Sequence, residues 1–571
     1  MQHDKKKKLS RRGFIKGTAA GAGVLALTGL TAENSGAVPA VNLPQKWDQE
    51  ADVVILGTGY AGQATAIEAD RAGASVLMLE KASEKYQGGN SRVSGQGFIA
   101  PPPHIWEAYF TYLKALTAGL GFPVFEDEKN SDEMLRLYIE ESSKSLQWFA
   151  DMGIETVPEV RVGGYSIFPF FPHMPGAEKI ATEPGYYTVG GKYDKQPGRN
   201  WYALEDVIKT KPGIKKMYEM PAKRLVQNPA TKEILGVVAE KNGKELFVKA
   251  KRAVCVCAGG FEYDQQMQRD FQGIQVNYSP GSPYNTGETI KMCWAIGADI
   301  RNMGVRNAPV YPTDYSIGIK PPWKSAISVT QKVSRGGMIM IGANNKRFRD
   351  EYLSWTTWAG IKNRERSGQE GVVIFNGHVI ENGVYVREKT PMPMFIILDE
   401  EARMSGPLFT GCYVTQIEGY KCSKGNSAEL SEGWLIKADS IEELAKKIGR
   451  EADPLFGRVS LKETVNHWNE NCKAGKDPDF DRKRNLKPIS DGPVYAIQVF
   501  PQCVNTQGGM ARNIKAQVLD IYGKPIPRLY SAGENGDIWT YVYQCMSNVG
   551  GGCFGFGRIA GKNAATEKPW S

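Results

Sequence analysis

The alternation of apolar and polar positions over residues 51–81 predicts a strand, a turn, a helix and a second strand. Residues 53–56 (VVIL) form a continuous apolar run, which is typical of a buried parallel strand. After the turn at 57–62, small apolar residues recur at helical spacing, at Ala64, Ala66, Ala69 and Ala72. The second strand, 75–79, ends at the acidic residue Glu80. This order is that of a dinucleotide-binding βαβ unit.

The turn GTGYAG at 57–62 contains the three glycines that a bound pyrophosphate favours. Gly57 allows the tight turn, Gly59 lets the backbone approach the phosphates, and Gly62 lets the helix pack closely on the strand. The helix N-terminus would face the phosphates, and Glu80 would reach a ribose hydroxyl. The nucleotide contacts predicted from this unit are Gly57, Gly59, Tyr60, Ala61, Gly62, Glu80 and Lys81.

Two later segments have the composition of loops that lie against a nucleotide. The run 88–97 (GGNSRVSGQG) is rich in glycine and small polar residues, so its amides can face a cofactor. The apolar run 253–257 predicts a buried strand, and it leads into the sequence AGGF. The contacts predicted from these segments are Gly89, Asn90, Ser91, Gly95, Gln96, Gly97, Ala258, Gly259 and Gly260.

The rest of the chain divides into regions by its pattern. Apolar residues at helical spacing predict helices over 104–153. Residues 160–200 are crowded with glycine, proline and aromatic residues, and they predict a long loop that would cover a pocket. Residues 234–251 predict a hairpin. From about 310 to 490 the chain changes to strands, loops and a polar helical region, which we interpret as an inserted second domain.

Composition and charge argue against several functions. The chain has 571 residues and a formal net charge of +9, part of which lies in the N-terminal segment. Basic residues elsewhere are dispersed and no zinc-finger spacing occurs, so we expect no nucleic-acid binding. The cysteines form no CxxC pair and no CxxCH motif, so we expect no covalently attached haem. No metal site is predicted, because metal-ligand spacing is absent around His104, His173, His378 and His467.

Residues 1–40 have the pattern of a twin-arginine export signal. Basic residues precede the sequence SRRGFIK at 10–16, and a mildly apolar, glycine-rich stretch follows. The twin-arginine route exports proteins that are already folded, so we expect the chain in the periplasm or on the outer face of the cell membrane. No later segment is long and apolar enough to predict an integral membrane segment.

In combination, the motifs resemble the superfamily of FAD-dependent fumarate reductases, succinate dehydrogenases and 3-ketosteroid dehydrogenases. The pieces that carry the resemblance are GTGYAG with Glu80, GGNSRVSGQG, AVCVCAGGF, NTGETIKM, NTQGGMARNIKAQVLD, PRLYSAGE and NVGGGCFGFGRIAG. The resemblance implies further FAD contacts at Gly533, Glu534, Asn548 and Val549, with Glu534 at the ribityl region. Because the loop 88–97 contains no histidine, we expect FAD to be bound non-covalently.

The architecture that the resemblance implies is an α/β fold, with a discontinuous Rossmann-like FAD-binding domain and an inserted α+β capping domain. We assign 48–309 to the first part of the FAD-binding domain and 310–490 to the capping, substrate-binding domain. Residues 491–571 form the final part, which would rejoin the sheet.

The chain departs from the fumarate reductase pattern where that family holds or protonates a dicarboxylate. Trp355 stands at the catalytic arginine of RFxNExxxRD, Asn505 at a substrate-binding histidine of HHTMGG, and Gln544 at a second carboxylate-binding arginine. Ala308 replaces a family histidine that precedes a proline. A dicarboxylate needs always-charged, bidentate partners, so these losses argue against fumarate or succinate. We predict that Trp355, Asn505 and Gln544 line a more apolar substrate pocket.

The C-terminal pattern resembles the ketosteroid dehydrogenases more closely. Their Tyr-Pro-Gly-Ala-Gly motif falls, by spacing, on residues 543–547. The resemblance implies that the Tyr543 hydroxyl and the Ser547 amide bind a substrate ketone and stabilise the developing enolate, as an oxyanion hole does. Because none of Pro-Gly-Ala-Gly is kept, a merely packed Tyr543 is the alternative. The proton donor would be a tyrosine of the cap, and the candidates are Tyr311, Tyr315 and Tyr352.

These features predict an exported FAD-dependent oxidoreductase that acts on CH–CH bonds. It would transfer a hydride between flavin N5 and a carbon–carbon bond conjugated to a carbonyl or aryl group, as an enone or acrylate-like reductase or as a ketosteroid-type dehydrogenase. The expected partners are a small-molecule substrate and a separate cytochrome or quinone-linked electron donor. The alternatives are a fumarate reductase-like dicarboxylate reductase and a non-catalytic flavin electron carrier.

Overall fold

The computed structural model describes most of the chain from residue 43 onward. The described residues are 43–117, 132–159, 175–181, 185–272, 276–304, 306–307, 315–330, 333–352, 373–375, 378–381, 384–387, 392–536, 538 and 548–570. The predicted export signal and five predicted site residues lie outside these ranges, namely Tyr311, Trp355, Tyr543, Gln544 and Ser547. Among the residues described, no helix combines the length and the apolar character that crossing a membrane requires.

The secondary structure alternates between helices and strands in the first half of the chain and is richer in strands afterwards. The strands are β1 (Gln49–Leu56), β2 (Val76–Leu79), β3 (Phe98–Ile99), β4 (Thr156–Pro158), β5 (Tyr186–Val189), β6 (Ile214–Met217), β7 (Ala222–Gln227), β8 (Ile234–Lys241), β9 (Lys244–Val256), β10 (Ile300–Arg301), β11 (Arg306–Asn307), β12 (Tyr315–Ile319), β13 (Ala326–Val329), β14 (Met338–Ile341), β15 (Val373–Phe375), β16 (His378–Glu381), β17 (Val384–Arg387), β18 (Met394–Asp399), β19 (Phe409–Thr410), β20 (Ile436–Ala438), β21 (Val494–Pro501), β22 (Asn505–Thr506), β23 (Gly509–Met510), β24 (Gln517–Leu519) and β25 (Pro525–Ser531). The α-helices are α1 (Tyr60–Arg71), α2 (Gly89–Val93), α3 (Trp106–Thr117), α4 (Asp132–Ser143), α5 (Ser145–Ala150), α6 (Ala177–Ile180), α7 (Arg199–Lys209), α8 (Gln265–Met267), α9 (Glu288–Ala295), α10 (Glu400–Met404), α11 (Cys412–Gln416), α12 (Ser427–Ser431), α13 (Ile441–Lys447), α14 (Leu461–Lys473) and α15 (Phe556–Thr566).

The first sheet has eight strands and a parallel centre. Its main order is β24-β25-β9-β1-β2-β6, and β8 and β7 extend it from β9 as antiparallel strands. In the centre, β1 pairs in parallel with β2 and β9, and β25 pairs in parallel with β9. Apolar clusters pack on both faces of this centre, which explains why residues 53–56 are apolar without alternation.

The last segment of the chain packs back onto the first βαβ unit. Helix α15 lies against α1, and two of its glycines allow a close approach. A Cβ atom at Gly557 would lie 2.8 Å from the Ala64 Cβ, and one at Gly561 would lie 2.4 Å from the Thr65 carbonyl oxygen. The C-terminal residues therefore form part of the same layered unit as residues 49–79.

The second sheet has seven strands and is antiparallel throughout. Its main order is β14-β18-β21-β12-β13-β19, and β20 pairs with β21. A buried ion cluster supports the sheet: Arg347 contacts Glu351 at 2.9 Å and Asp477 at 3.0 Å, and Arg482 contacts Glu351 at 2.9 Å. Each buried charge thus has an opposite partner, whose attraction offsets part of the desolvation cost of the cluster.

Two short antiparallel pairs carry the chain between the two sheets. Strand β10 pairs with β23, and β11 pairs with β22, where Asn307 lies opposite Asn505. The outgoing and returning segments therefore run side by side, although about 200 residues separate them in sequence. This pairing holds Asn505 beside the carboxyl end of the first sheet.

Within the predicted loop 160–200 the described residues form α6 and β5, so the prediction of a loop was wrong there. Two further differences from the sequence expectations concern β9 and β21. The predicted hairpin at 234–251 and the predicted buried strand at 253–257 share one long strand, β9, which continues from Lys244 to Val256. The predicted end of the inserted domain at residue 490 precedes β21, which pairs in the second sheet. Both differences arise because strand length and partner choice depend on long-range pairing, which the local pattern does not contain.

Candidate cofactor and active site

A cavity opens at the carboxyl ends of β1, β2 and β9, where ligands bind in sheets of this type. Most of the nucleotide contacts predicted from sequence line it. These residues are Gly57, Gly59, Tyr60, Ala61, Glu80, Lys81, Gly89, Asn90, Ser91, Gly95, Gln96, Gly97, Ala258, Gly259, Gly533, Glu534 and Val549. The predicted substrate residue Asn505 also lines the cavity.

The turn after β1 is built for a close approach of the backbone to a ligand. Gly57 has a φ of +103°, and a Cβ atom there would lie 2.5 Å from the Cys257 carbonyl oxygen. Helix α1 begins at Tyr60, whose amide donates to Ser91 Oγ at 2.9 Å. The positive end of the α1 dipole therefore points at the cavity, as an anionic group requires.

Glu80 is buried at the end of β2, and its hydrogen bonds fix the glycine turn that follows β1. Its carboxylate accepts hydrogen bonds from the Thr58 amide at 3.2 Å, from the Thr58 hydroxyl, and from the Ala82 amide at 2.8 Å. The neighbouring Lys81 pairs with Glu288 at the start of α9. Glu80 thus lines the cavity while it fixes the glycine turn, a role that the sequence did not indicate.

The loop 88–97 is fixed through Gln96, which has a left-handed backbone with a φ of +63°. Its Oε1 accepts from the Tyr60 hydroxyl at 2.6 Å and from the Asn200 amide at 3.0 Å. Its Nε2 donates to the Ser91 carbonyl oxygen at 2.9 Å. These hydrogen bonds hold the loop in one conformation. The residues predicted to contact a nucleotide therefore form a fixed wall of the cavity.

Glu534 lies at the far wall, near Asn505, and a second carboxyl group, Glu262, lies behind that wall. The Glu534 Oε1 accepts from Asn505 Nδ2 at 2.6 Å and from Gln507 Nε2 at 2.8 Å. Burial, and then the charge of Glu262, raises the pKa of Glu534 to about 8. Burial also raises the pKa of Glu262 to about 7. Part of this wall is therefore uncharged near neutral pH.

Three predicted contacts do not line the cavity, namely Gly62, Gly260 and Asn548. Gly62 packs α1 against the turn, since a Cβ atom there would lie 2.2 Å from the Gly57 carbonyl oxygen. A Cβ atom at Gly260 would lie 2.1 Å from Thr506 Oγ1, so this glycine lies behind the wall. The proton-donor candidates Tyr315 and Tyr352 do not line the cavity either, and the Tyr352 hydroxyl donates to the Val333 carbonyl oxygen.

The structure adds residues that sequence reasoning missed. The lining also includes Thr58, Tyr186, Met220, Pro221, Ala222, Cys412 and Val504. Thr58 sits within the predicted turn, so its place was available from the motif. The others come from segments far apart in sequence, and no local pattern marks them.

The lining of the cavity contains few basic residues. Within the described part of the chain, no arginine lines the cavity, and the single basic residue in its lining is Lys81. Lys81 is already paired with Glu288 and also donates to the Tyr284 carbonyl oxygen at 3.3 Å. A ligand with two carboxylates would find no unpaired guanidinium in this lining.

Comparison with known proteins places the chain in a family. The family model described as FAD binding domain matches residues 52–548. The chain belongs to this family. Digoxin reductase from Eggerthella lenta is 25% identical to the chain over 616 residues, and the match covers 98% of each protein. As a family member the chain is an FAD-dependent oxidoreductase, as its motifs predicted.

Two solved structures share the fold of this FAD binding domain protein. The 3-ketosteroid Δ1-dehydrogenase from Sterolibacterium denitrificans gives a TM-score of 0.64 at 23% identity, covering 90% of this chain and 99% of the dehydrogenase. A flavocytochrome c3 fumarate reductase gives 0.60 at 21% identity, covering 99% of this chain and 82% of the reductase. The predicted α/β fold is confirmed.

The residues of the cavity fit FAD. The positive φ of Gly57, the N-terminus of α1 and the buried Glu80 suit a pyrophosphate and a ribose, and the amides of the loop 88–97 lie along the same wall. When bound, FAD supplies the hydride chemistry. The chain's own residues position the cofactor and substrate and set the polarity around them.

Proposed function

We propose that the chain reduces a carbon–carbon double bond conjugated to a carbonyl or aryl group, by hydride transfer from flavin N5. The observation that carries this proposal is Asn505, a neutral carboxamide that lines the cavity at the position where the fumarate reductases have a substrate-binding histidine. Fumarate or succinate would need bidentate cationic partners to offset its desolvation. A single polarised oxygen needs only neutral hydrogen-bond donors.

The far wall supplies such neutral groups. Asn505, which lines the cavity, carries a carboxamide, and the raised pKa of Glu534, about 8, favours its neutral form near pH 7. A neutral carboxyl can donate a hydrogen bond, whereas a carboxylate can only accept one. This wall therefore suits a substrate with one carbonyl oxygen better than a dianion. The name of the relative digoxin reductase supports reduction of an organic substrate.

The residues that would polarise the substrate are Tyr543, through its hydroxyl, and Ser547, through its backbone amide. Gln544 and Trp355 would line the same pocket. The candidate proton donors in the cap are Tyr311, Tyr315 and Tyr352, and Tyr311 lies outside the described residues. Two donors aimed at the oxygen on which charge develops would stabilise the enolate by the mechanism of an oxyanion hole.

We further propose that the chain is exported through residues 1–40 and works outside the cytoplasm. Nicotinamide cofactors are scarce there, and the sequence contains no second dinucleotide fingerprint. The reducing electrons would therefore come from a separate cytochrome or a quinone-linked donor. The likeness to a flavocytochrome fold is consistent with such a donor.

The test is anaerobic reoxidation of the reduced holoprotein. The flavin is reduced with a limiting amount of dithionite, and enones, cinnamates, stilbenes, steroids and fumarate are added separately. We expect reoxidation by a conjugated ketone or aryl alkene and none by fumarate. Reoxidation by fumarate but by no conjugated ketone or aryl alkene would overturn the proposal.

The same preparation separates the alternatives. A ketosteroid-type dehydrogenase would instead have its oxidised flavin reduced by a saturated ketone in the presence of a quinone or dye acceptor. A flavin electron carrier would be bleached reversibly by dithionite and exchange electrons with a cytochrome, but no organic compound in either panel would change its flavin spectrum.

A further inference from the structure

A buried glutamate lies directly behind the cavity wall. Glu262 is 1% exposed and does not line the cavity itself. Its Oε1 accepts hydrogen bonds from Asn90 Nδ2 and from Asn285 Nδ2, both at 2.6 Å. Its Oε2 accepts from the Thr506 hydroxyl at 3.3 Å. Asn90 and Asn285 do line the cavity, so Glu262 touches the cavity only through them.

The three partners of Glu262 come from three separate segments of the chain. Asn90 lies in α2, Asn285 lies just before α9, and Thr506 lies in β22. Asn90 extends the connection, because its Oδ1 accepts from the Ser282 amide at 2.7 Å. One carboxyl group therefore fixes the relative positions of three segments. In sequence, Asn90 is 172 residues from Glu262, Asn285 is 23 residues from it and Thr506 is 244 residues from it.

The surrounding backbone leaves space for this cluster. A Cβ atom at Gly260 would lie 2.1 Å from Thr506 Oγ1 and 2.8 Å from Glu262 Oε2. A Cβ atom at Gly281 would lie 2.3 Å from Asn90 Oδ1. Because Gly260 and Gly281 have no side chain, the hydrogen-bonding groups of Glu262, Asn90 and Thr506 can approach each other. The backbone around the cluster therefore suits these hydrogen bonds.

The charge of Glu262 is not balanced by a cation in the residues that the structure describes. Its side-chain hydrogen-bond donors there are two carboxamides and a hydroxyl, all of them neutral. A buried carboxyl group without a cationic partner is costly, and it is tolerated only where its hydrogen bonds are well made. The placement therefore indicates a role in holding its donors.

We propose that Glu262 is a positioning residue of the FAD site, which holds the side chains of Asn90 and Asn285 where they form the cavity wall. The cofactor then meets a wall that is already ordered, and less binding free energy is lost in ordering it. This inference depends on FAD binding by the chain and not on the identity of the substrate. Its test and the substrate test can therefore fail separately.

The test compares FAD dissociation constants of purified holoprotein variants, measured from the flavin fluorescence that appears on release. Glu262→Leu removes the acceptor shared by the Asn90 and Asn285 carboxamides and leaves Asn90 only its longer bond to the Val504 carbonyl oxygen, at 3.4 Å. We expect the dissociation constant to rise at least tenfold. Glu262→Gln keeps an acceptor oxygen at the same place, and we expect a change of less than threefold. Glu262→Asp keeps the charge but is too short to reach both asparagines, and we expect about a tenfold rise.

Glu429, in α12, provides a matched control. It is also buried, at 3% exposure, and it accepts hydrogen bonds from the Tyr420 hydroxyl and the Ser423 amide, each at 3.0 Å. Glu429→Leu should lower the melting temperature but leave the FAD dissociation constant unchanged. If the effect of Glu262→Leu were merely structural, it would follow the pattern of Glu429→Leu.

A double-mutant cycle tests whether Glu262 acts through Asn285. The combined Glu262→Leu and Asn285→Ala variant should weaken FAD binding by less than the product of the two single effects. Independent, multiplying effects would overturn the proposal, as would a dissociation constant within threefold of wild type in both Glu262→Leu and Glu262→Asp. Should Glu262→Leu fail to fold, Glu262→Asp takes its place in the cycle.

Discussion

Replacing Glu534 with glutamine should change how the stability of the flavin-free protein depends on pH. The pKa of Glu534 is raised from 4.5 to about 8, by burial and then by the charge of Glu262. Because the folded-state pKa lies above the unfolded value, the folded protein binds this proton more tightly. The resulting stabilisation is fully present below pH 4.5 and is lost as the pH rises through 8.

The magnitude follows from the two pKa values. One pKa unit corresponds to about 1.4 kcal/mol, so the free energy of unfolding should fall by roughly 3.5 kcal/mol between pH 5 and pH 8 through this group. Glutamine does not titrate, so the variant lacks this loss. With an unfolding entropy of about 2.1 cal/mol/K per residue, the difference corresponds to about 3 °C in melting temperature. Glu262 titrates together with Glu534 and shares part of the effect.

The assay is scanning calorimetry of the flavin-free wild-type and Glu534→Gln proteins at pH 5 and pH 8. The variant should gain about 3 °C on wild type between the two pH values. Glu429→Gln is the control: burial acts to raise the pKa of Glu429, but hydrogen bonds from Ser423 outweigh it and lower the pKa. Its difference from wild type should therefore be the same at both pH values. An equally constant difference for Glu534→Gln would refute the reasoning.

Three further predictions concern the site and its support. Gly57→Val places a Cβ atom 2.5 Å from the Cys257 carbonyl oxygen at a φ of +103°, so the purified variant should contain little flavin by its visible absorbance; normal content would contradict this. Arg482→Leu removes one of the two arginines that contact the buried Glu351, so urea unfolding should show a loss of about 3 kcal/mol, with flavin content per folded molecule unchanged. Tyr543→Phe should slow reoxidation of the reduced flavin by an enone by about a hundredfold in stopped-flow measurements, and an unchanged rate would remove Tyr543 from the mechanism.

The amino-acid sequence by itself determined the βαβ unit and many of the residues that line the cavity beside it. The strand at 53–56, the glycine turn and the helix after it follow from local properties, namely apolar runs, helical spacing and the backbone freedom of Gly57. The loop 88–97 and the segment at Ala258 and Gly259 were also found, because small residues beside a strand end are a local signal. The family followed from the same motifs in combination.

The tertiary structure decided the features that depend on partners remote in sequence. Glu262 is hydrogen-bonded to Asn90 and Thr506, which are 172 and 244 residues from it in sequence. No pattern of local spacing predicts such a contact. Gly62 packs α1 against the turn, as its place in the motif predicts, whereas Gly260 lies behind the wall beside Thr506, a neighbour that the local sequence does not reveal. Strand β21 belongs to the second sheet because it pairs with β18 and β12, which are remote from it in sequence. Local sequence determines whether a segment forms a helix or a strand. Its neighbours in the fold and their hydrogen bonds determine which of its faces lines the cavity.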